Sequence, residues 1–346
     1  MQSSGQEADG MASLKDIARE CRVSVATVSK ALNGHSDISD EKKTLIRRKA
    51  EELGYHPNLF ARMLKMKRSY NIGVLFVEEA HNGLTHDYFA AVLDSFKVTA
   101  EQREYDITFL NCNKTRKNRM SYLEHARYRG FDGIVIVCVD FMEPEVLELV
   151  HSDLPIVTID YIFNDRMAVV SDNIQGMEDL LSYIYQKGHR KIAYIHGADS
   201  HVTRGRLSSF FRTAKRLGLE IPDEYIIESE YRHEKKAASA TIKLLELEQP
   251  PTCILYPDDL SAFGGIQVIR ERGLHIPEDI SVAGYDGIRL SQHMFPALTT
   301  LKQDTLHVGR YAAEKLIELI ENPRTAVREI THVKGVVYEG QTIKTL

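Results

Sequence analysis

The sequence predicts an α/β protein with a small helical head ahead of a large body of parallel sheets wrapped by helices. Three observations predict it. Short apolar runs rich in β-branched residues alternate with amphipathic stretches along residues 70–346. Residues 13–54 carry helical patterns with cap signals and no strand-like run. Charge divides at the same place: residues 11–68 hold 13 Lys and Arg against 7 Asp and Glu, so the remainder of this −5 chain carries −11.

The 346 residues exceed one ordinary core and suit two or three domains. No run of about 18 apolar residues occurs, so no membrane span is expected. The opening "MQSSGQEADG" is polar and lacks the apolar centre of a signal peptide. Residues 1–10 read as a tag, an upstream start ahead of Met11, or a disordered arm. Cys21, Cys112, Cys138 and Cys253 form no CxxC and no zinc-spaced cluster, so no metal or other cofactor is expected. Cys138 and Cys253 lie in apolar runs and read as buried thiols of a protein in a reducing cytoplasm.

The head opens on "SLKDIARE", where Ser13 and Asp16 have capping-box spacing. Leu14, Ile17, Ala18 and Cys21 share one helical face. "RVS" breaks the pattern, and Ser24 can cap a second helix over 25–32. At about 100° per residue, Val28, Ala31 and Leu32 point one way, Val25, Ala26, Ser29 and Lys30 the other. The second face is short-chained and acid-free within the helix, so it can enter a DNA major groove. Ser39 precedes a third helix expected to bury Ile46, Ala50 and Leu53 and to stop at Gly54. Three short helices with positive charge describe a helix-turn-helix, or a small bundle that binds protein. "YHPNLFARMLKMKRS" follows, with a short helix over 59–64 bearing Arg62 and Leu64. It reads as a basic linker, or as a hinge that folds on DNA.

In the body the strand-like runs are "NIGVLFV", "YDITFLN", "DGIVIVCV", "LPIVTID", "RKIAYIHG", "PTCILYP" and "DISVAGYD". Helical segments cover 87–103, 116–129, 203–217, 234–246 and 258–272. Polar residues recur just after the strands: Glu78, Asn111, Asp140, Asp160, His196, Asp258 and Asp286. Any one would be an ordinary turn or cap, and Asp258 could simply cap 259–272. Together they predict a cleft, because ligands of open parallel sheets bind at the strands' carboxyl ends. Residues 297–321 read as a strand returning to the first subdomain, then a helix.

"SLKDIARECRVSVATVSKALNG", "LGYHPNLFARMLK", "KGHRKIAYIHG", "DISVAGYDG" and "PALTTLKQD", in that order, resemble the lactose/purine repressor (LacI) family of bacterial transcription regulators. The resemblance runs from about 13 to 340. It implies a DNA-binding domain at 11–57, a hinge helix and linker at 58–69, and a periplasmic-binding-protein-like (type I) effector and dimerisation domain at 70–346. Subdomain one would be about 70–172 and 297–323, subdomain two about 173–296 and 324–340, with crossings near 172, 296 and 324. No leucine-heptad tail follows, so a homodimer is expected.

The resemblance also assigns roles. Val25 and Ala26 would select the operator. Ser29 and Lys30 would contact bases or phosphates, Ser24 and Thr27 phosphates, and Asn33 the backbone. Arg62 lies in the hinge, and Leu64 would wedge into the minor groove. Two departures stand out. Arg22 occupies the turn position where the family has glycine, and Lys30 replaces an arginine. For the effector, Arg206 and Asp286 match family contacts, Asp258 takes the place of a ligand-contacting Asn or Asp, and Asp160 lies near the pocket rim, with Tyr88, Tyr161 and Phe263 as flat faces; Glu78 joins them as a strand-end acid. Carboxylates beside an arginine suit a neutral sugar or sugar derivative; a nucleobase or a protein corepressor stays open.

The expected function is an effector-controlled repressor on a near-palindromic operator, not an enzyme. A nucleophile-elbow GxSxG, a P-loop, HExxH and a GxGxxG after a strand are all missing. The rivals are a solute-binding protein, disfavoured by the basic head, and a sugar-acting enzyme using its strand-end acids.

Overall fold

The structure is a computed structural model that describes residues 12–32, 34–55, 68–77, 83–85, 87–110 and 120–346. Two compact units divide after Arg68.

The first unit contains α1 (Leu14–Glu20), α2 (Val25–Leu32) and α3 (Asp40–Glu52). Asp16 reaches back to accept from the Ser13 amide at 3.0 Å and its hydroxyl at 2.6 Å, starting α1. Ser24 Oγ accepts from the Thr27 amide at 3.0 Å, starting α2. Ser39 holds the cap position of α3 without a side-chain cap bond. Ile17, Ala18, Val28, Ala31, Ile46 and Ala50 are buried together, with Leu14, Cys21 and Leu32 packed around them. Leu53, expected inside, is 37% exposed. The helix ends at Glu52, Gly54 turns at φ 62°, and the Tyr55 amide bonds Ala50 O at 2.8 Å. That fold-back puts Tyr55, rather than Leu53, against the cluster.

The second unit has two lobes. The first sheet contains β1 (Asn71–Phe76), β2 (Asp106–Phe109), β3 (Gly133–Val137), β4 (Ile156–Ile159), β5 (Met167–Ser171) and a late strand, Ile330–Val333. Its order is Ile330–Val333, β5, β4, β3, β1, β2, all parallel. Around it lie α4 (Asp87–Gln102), α5 (Tyr122–Arg129) and α6 (Pro144–Val150). The second lobe begins with α7 (Asn173–Gln186), then β6 (Ile192–His196), α8 (His201–Arg216), β7 (Ile226–Glu228), α9 (Glu234–Leu245), β8 (Cys253–Leu255), α10 (Asp259–Glu271), β9 (Ser281–Asp286) and α11 (Arg289–His293). Its sheet continues with β10 (Thr299–Lys302) and ends with Val336–Tyr338, the one antiparallel strand, in the order Val336–Tyr338, β10, β9, β8, β6, β7.

The chain therefore crosses between lobes at Asp172, and the two later crossings differ from expectation. β10 does not return to the first lobe: Thr299–Lys302 pairs in parallel with Ala283–Asp286 of β9. The crossing follows at 303–304, not near 296. There the Asp304 carboxylate accepts from the His307 amide at 3.1 Å and starts α12 (Thr305–Glu321). Val308, Ala312, Ala313, Leu316 and Ile317 of α12 then enter the first lobe's core. Gly309 allows that docking, since a Cβ there would meet Val92 O of α4 at 2.1 Å. The last crossing falls at 334–335, not near 324, because β11 (Ile330–Val333) still pairs with β5 and only β12 (Val336–Tyr338) joins the second sheet. Cys253 is buried, as expected, whereas Cys138 is half-buried with φ 53°. No helix among the described residues is long and apolar enough to cross a membrane.

Arg22 sits in the α1–α2 turn at φ 52°, the left-handed region that glycine occupies without strain. Arg22→Gly is expected to stabilise the head by about 1 kcal/mol. Urea unfolding of the head would read this as a higher midpoint; a lower one would show that the Arg22 side chain outweighs its backbone strain.

Candidate functional site

The head presents α2 with Val28 and Ala31 turned inward. Its other side shows Val25, 40% exposed, with Ala26 and Lys30 also exposed and Thr27 and Ser29 half-buried. Ser24 and Thr27 are occupied with each other, their hydroxyls 2.8 Å apart. The surface is not acid-free as the helix sequence suggested: the α2–α3 connection brings Asp37 onto the Lys30 ammonium. Asn33, Arg62 and Leu64 lie outside the described residues.

The cleft grows from strand ends. β4 delivers Asp160 at φ 58°, and β9 delivers Asp286 at φ 109°. Such backbone on non-glycine residues costs energy and marks sites where position matters more than comfort. In the first lobe, Tyr88 of α4 donates its hydroxyl to Asp160 Oδ2 at 2.7 Å and lies 2.9 Å from Ser171 Oγ. The Ser171 amide donates to Asp160 Oδ1 at 2.9 Å.

In the second lobe, the buried stripe of α8 is Thr203, Arg206, Ser209, Phe210, Thr213 and Ala214, a helical repeat with a guanidinium in it. Arg206 is 4% exposed. Its Nε donates to Asn173 Oδ1 at 2.7 Å and its Nη1 to the Pro257 carbonyl at 2.9 Å, while the guanidinium lies 3.5 Å from the Tyr285 ring centre. Asp286 is held by Gln303 Nε2 at 2.6 Å.

Burial pushes the Asp160 and Asp286 carboxyls above their ordinary range, and the Arg206 charge pulls both back. Burial, then Asp160, raises the Tyr88 phenol. The first-lobe and second-lobe groups therefore feel one another. Tyr88, Asp160, Arg206 and Asp286 are brought together.

The other candidates are engaged elsewhere, although the Asp258 charge also reaches Asp286. Asp258 is 2% exposed and accepts from Ser261 N at 2.8 Å, Ser261 Oγ at 2.8 Å and Arg232 N at 2.7 Å. It is the cap of α10, and it pins the loop bearing Arg232. Phe263 packs against the second lobe's core with Ala262 and Ile266 nearby. Asp140 is exposed and accepts from the Met142 amide at 2.9 Å, an ordinary turn. His196 is tied to Gly197 O at 2.8 Å. Tyr161 stacks on Phe141 at 4.3 Å and meets His201 of the other lobe at 5.9 Å between ring centres. Glu78 and Asn111 lie outside the described residues.

Sequence reading missed Asn173, Ser171, Tyr285, Gln303 and Arg232, whose Nη2 donates across the lobes to Thr85 O at 3.3 Å. Ser171 ends, and Asn173 closely follows, a strand, "MAVVS", that was not among the predicted runs. Tyr285 lies one residue before Asp286 in a strand buried almost throughout, where no alternation singles it out. Asp259 was also missed. It is fully buried, accepting from Thr300 Oγ1 at 2.6 Å and from the Ile288 amide at 2.9 Å. It thereby anchors the turn that follows Asp286.

Two family models match this chain: the bacterial regulatory proteins of the lacI family over residues 13–58, and the periplasmic binding protein-like domain over 181–343. The ribose operon repressor of Haemophilus influenzae is 31% identical over 333 residues, covering 93% of this chain and 97% of that protein. The chain belongs to the lacI family of bacterial regulatory proteins. The HTH-type transcriptional repressor PurR of Vibrio atlanticus is 29% identical, covering 97% of this chain and all of the relative. The lac repressor dimer bound to operator and an anti-inducer shares the fold, with a TM-score of 0.80 at 23% identity, covering 97% of this chain and 100% of that one. As a member of this lacI family, the protein is a helix-turn-helix transcription regulator with an effector-binding body.

Burial raises the Asp259 carboxyl to about 7. An acid whose folded pKa exceeds its unfolded value stabilises below the unfolded pKa and loses that stability as pH rises through the folded one. Asp259 should thus cost the body up to about 4 kcal/mol between pH 4 and 7. Asp259→Asn, which cannot ionise, is expected to flatten this slope in denaturant titrations at pH 5 and pH 8. An unchanged slope would show that Asp259 stays ionised throughout.

Proposed function

We propose that this regulator is a dimeric repressor of a near-palindromic operator, controlled by a neutral, polyhydroxylated effector seated between Arg206 and Asp286 on one lobe and Asp160 and Tyr88 on the other. The observation that carries the effector class is the charge balance of the cleft. The Asp160 and Asp286 carboxyls both lie within electrostatic reach of the Arg206 guanidinium, whose Nε and Nη1 are committed to the neutral acceptors Asn173 and Pro257. A strongly anionic ligand would meet Asp160 and Asp286. A sugar's hydroxyls can accept from the guanidinium and donate to the carboxylates. The ribose operon repressor among the relatives supports a sugar.

On the head, Val25 and Ala26 would meet base edges, with Ser24, Thr27, Ser29 and Lys30 on bases and phosphates. Phosphate contacts would supply most of the affinity and make it salt-dependent. Effector and operator would be coupled, each changing the other's affinity by one common factor.

A thermal-shift screen of neutral sugars, sugar acids and nucleobases should give its largest stabilisation with a neutral sugar, at about 3 kcal/mol for 100-fold saturation. Arg206→Ala should abolish it. A shift seen with nucleobases alone would overturn the effector class. Effector affinities that are equal with and without operator would overturn allosteric control.

A further inference from the structure

The helix that faces the groove contains a single charged residue, Lys30. It is already paired. Lys30 Nζ donates to Asp37 Oδ2, with the two side chains 50% and 52% exposed. The other described acid–base pairs of the head join residues of one helix, as in Asp16 with Arg19, Asp40 with Lys43, and Glu52 with Lys49 and Arg48. Asp37 differs in coming from the α2–α3 connection and reaching across to the exposed side of α2.

An exposed pair of this kind contributes between about 0 and 1 kcal/mol to stability, so DNA can break it readily. Its consequence lies in binding. While Asp37 holds Lys30, the lysine's charge is cancelled, and a carboxylate stands where phosphates would approach. Random DNA then gains less from Lys30 than it would from an unpaired cation. A site that offers a cytosine amino group beside a guanine differs, because a carboxylate accepts from cytosine N4 and a lysine donates to guanine O6 and N7.

We propose that Asp37 is a specificity-determining residue of the DNA-binding head, which withholds Lys30 from non-specific phosphate and releases it at an operator position rich in G·C. This rests on the reading of α2 as the groove-facing helix. Affinity for random DNA is given up in exchange for discrimination, since specificity is a difference of two affinities.

The test uses the full chain with two fluorescent duplexes: random-sequence DNA, and the operator recovered by selection from a random pool. Anisotropy titrations run over a range of salt. Asp37→Asn keeps a turn-compatible residue and removes the charge. It should bind random DNA about tenfold tighter, with the salt slope steeper by about one ion per head. The operator should gain less, so the operator-to-random ratio falls at least about fivefold. Asp37→Glu should retain most of the wild-type ratio.

Lys30→Ala separates the two claims. In its background Asp37→Asn should no longer bring the tenfold gain. If Lys30→Ala weakens binding while Asp37→Asn leaves affinity and slope unchanged, the Asp37 proposal falls and the groove-facing helix stands. If Lys30→Ala alters neither duplex, both fall.

Discussion

A guanidinium cannot shed its charge when buried, so burying Arg206 obliges its surroundings to be built around it. That obligation organises the cleft. Asn173, the Pro257 carbonyl and Tyr285 come from three elements, and together they make the burial of Arg206 tolerable. Removing a partner from a buried charge costs several kcal/mol, more than most single contacts in the molecule. Strand ends from β8 and β9 and the start of α7 are thereby locked to α8.

The lock does not stop at one lobe. Asn173 opens α7 immediately after the Asp172 crossing. It accepts from Arg206 and also donates its Nδ2 to Ser171 O at 3.1 Å. Ser171 ends β5 and holds Asp160, which holds Tyr88 of α4. A continuous run of hydrogen bonds thus joins the second lobe's buried cation to the first lobe's buried phenol through the first crossing. On the proposed function, an effector that hydrogen-bonds Arg206 would perturb one end of this run, and the lobes would respond together. Interiors this closely packed pass on displacements instead of absorbing them.

Much of this was legible in the residues, and the failures have physical causes. The head followed from caps and 3.6-residue periodicity, because both are local. Leu53 was misplaced since a helix end one residue earlier turns it outward, and periodicity does not see the end. β10 was assigned to the wrong lobe for a related reason: "TTLK" declares a strand, but pairing partners are non-local. The better signal was Asp304, a cap that marks where the chain leaves the second sheet. Asp258 and Asp286 looked alike as acids after strands. One is consumed by capping α10, as its place directly ahead of that helix suggested, and the other is left in the cleft. Asp37 shows the same limit in the head. No pattern within α2 reports an acid delivered from the following turn.

The account's central claim is that Asn173 carries the effector's influence across the crossing. The direct measurement is the ratio of operator affinities with and without saturating effector, in wild type and in Asn173→Ala. The account predicts that the variant still binds effector, more weakly, while its ratio collapses toward one. A variant that folds, binds effector and keeps the full wild-type ratio would contradict it.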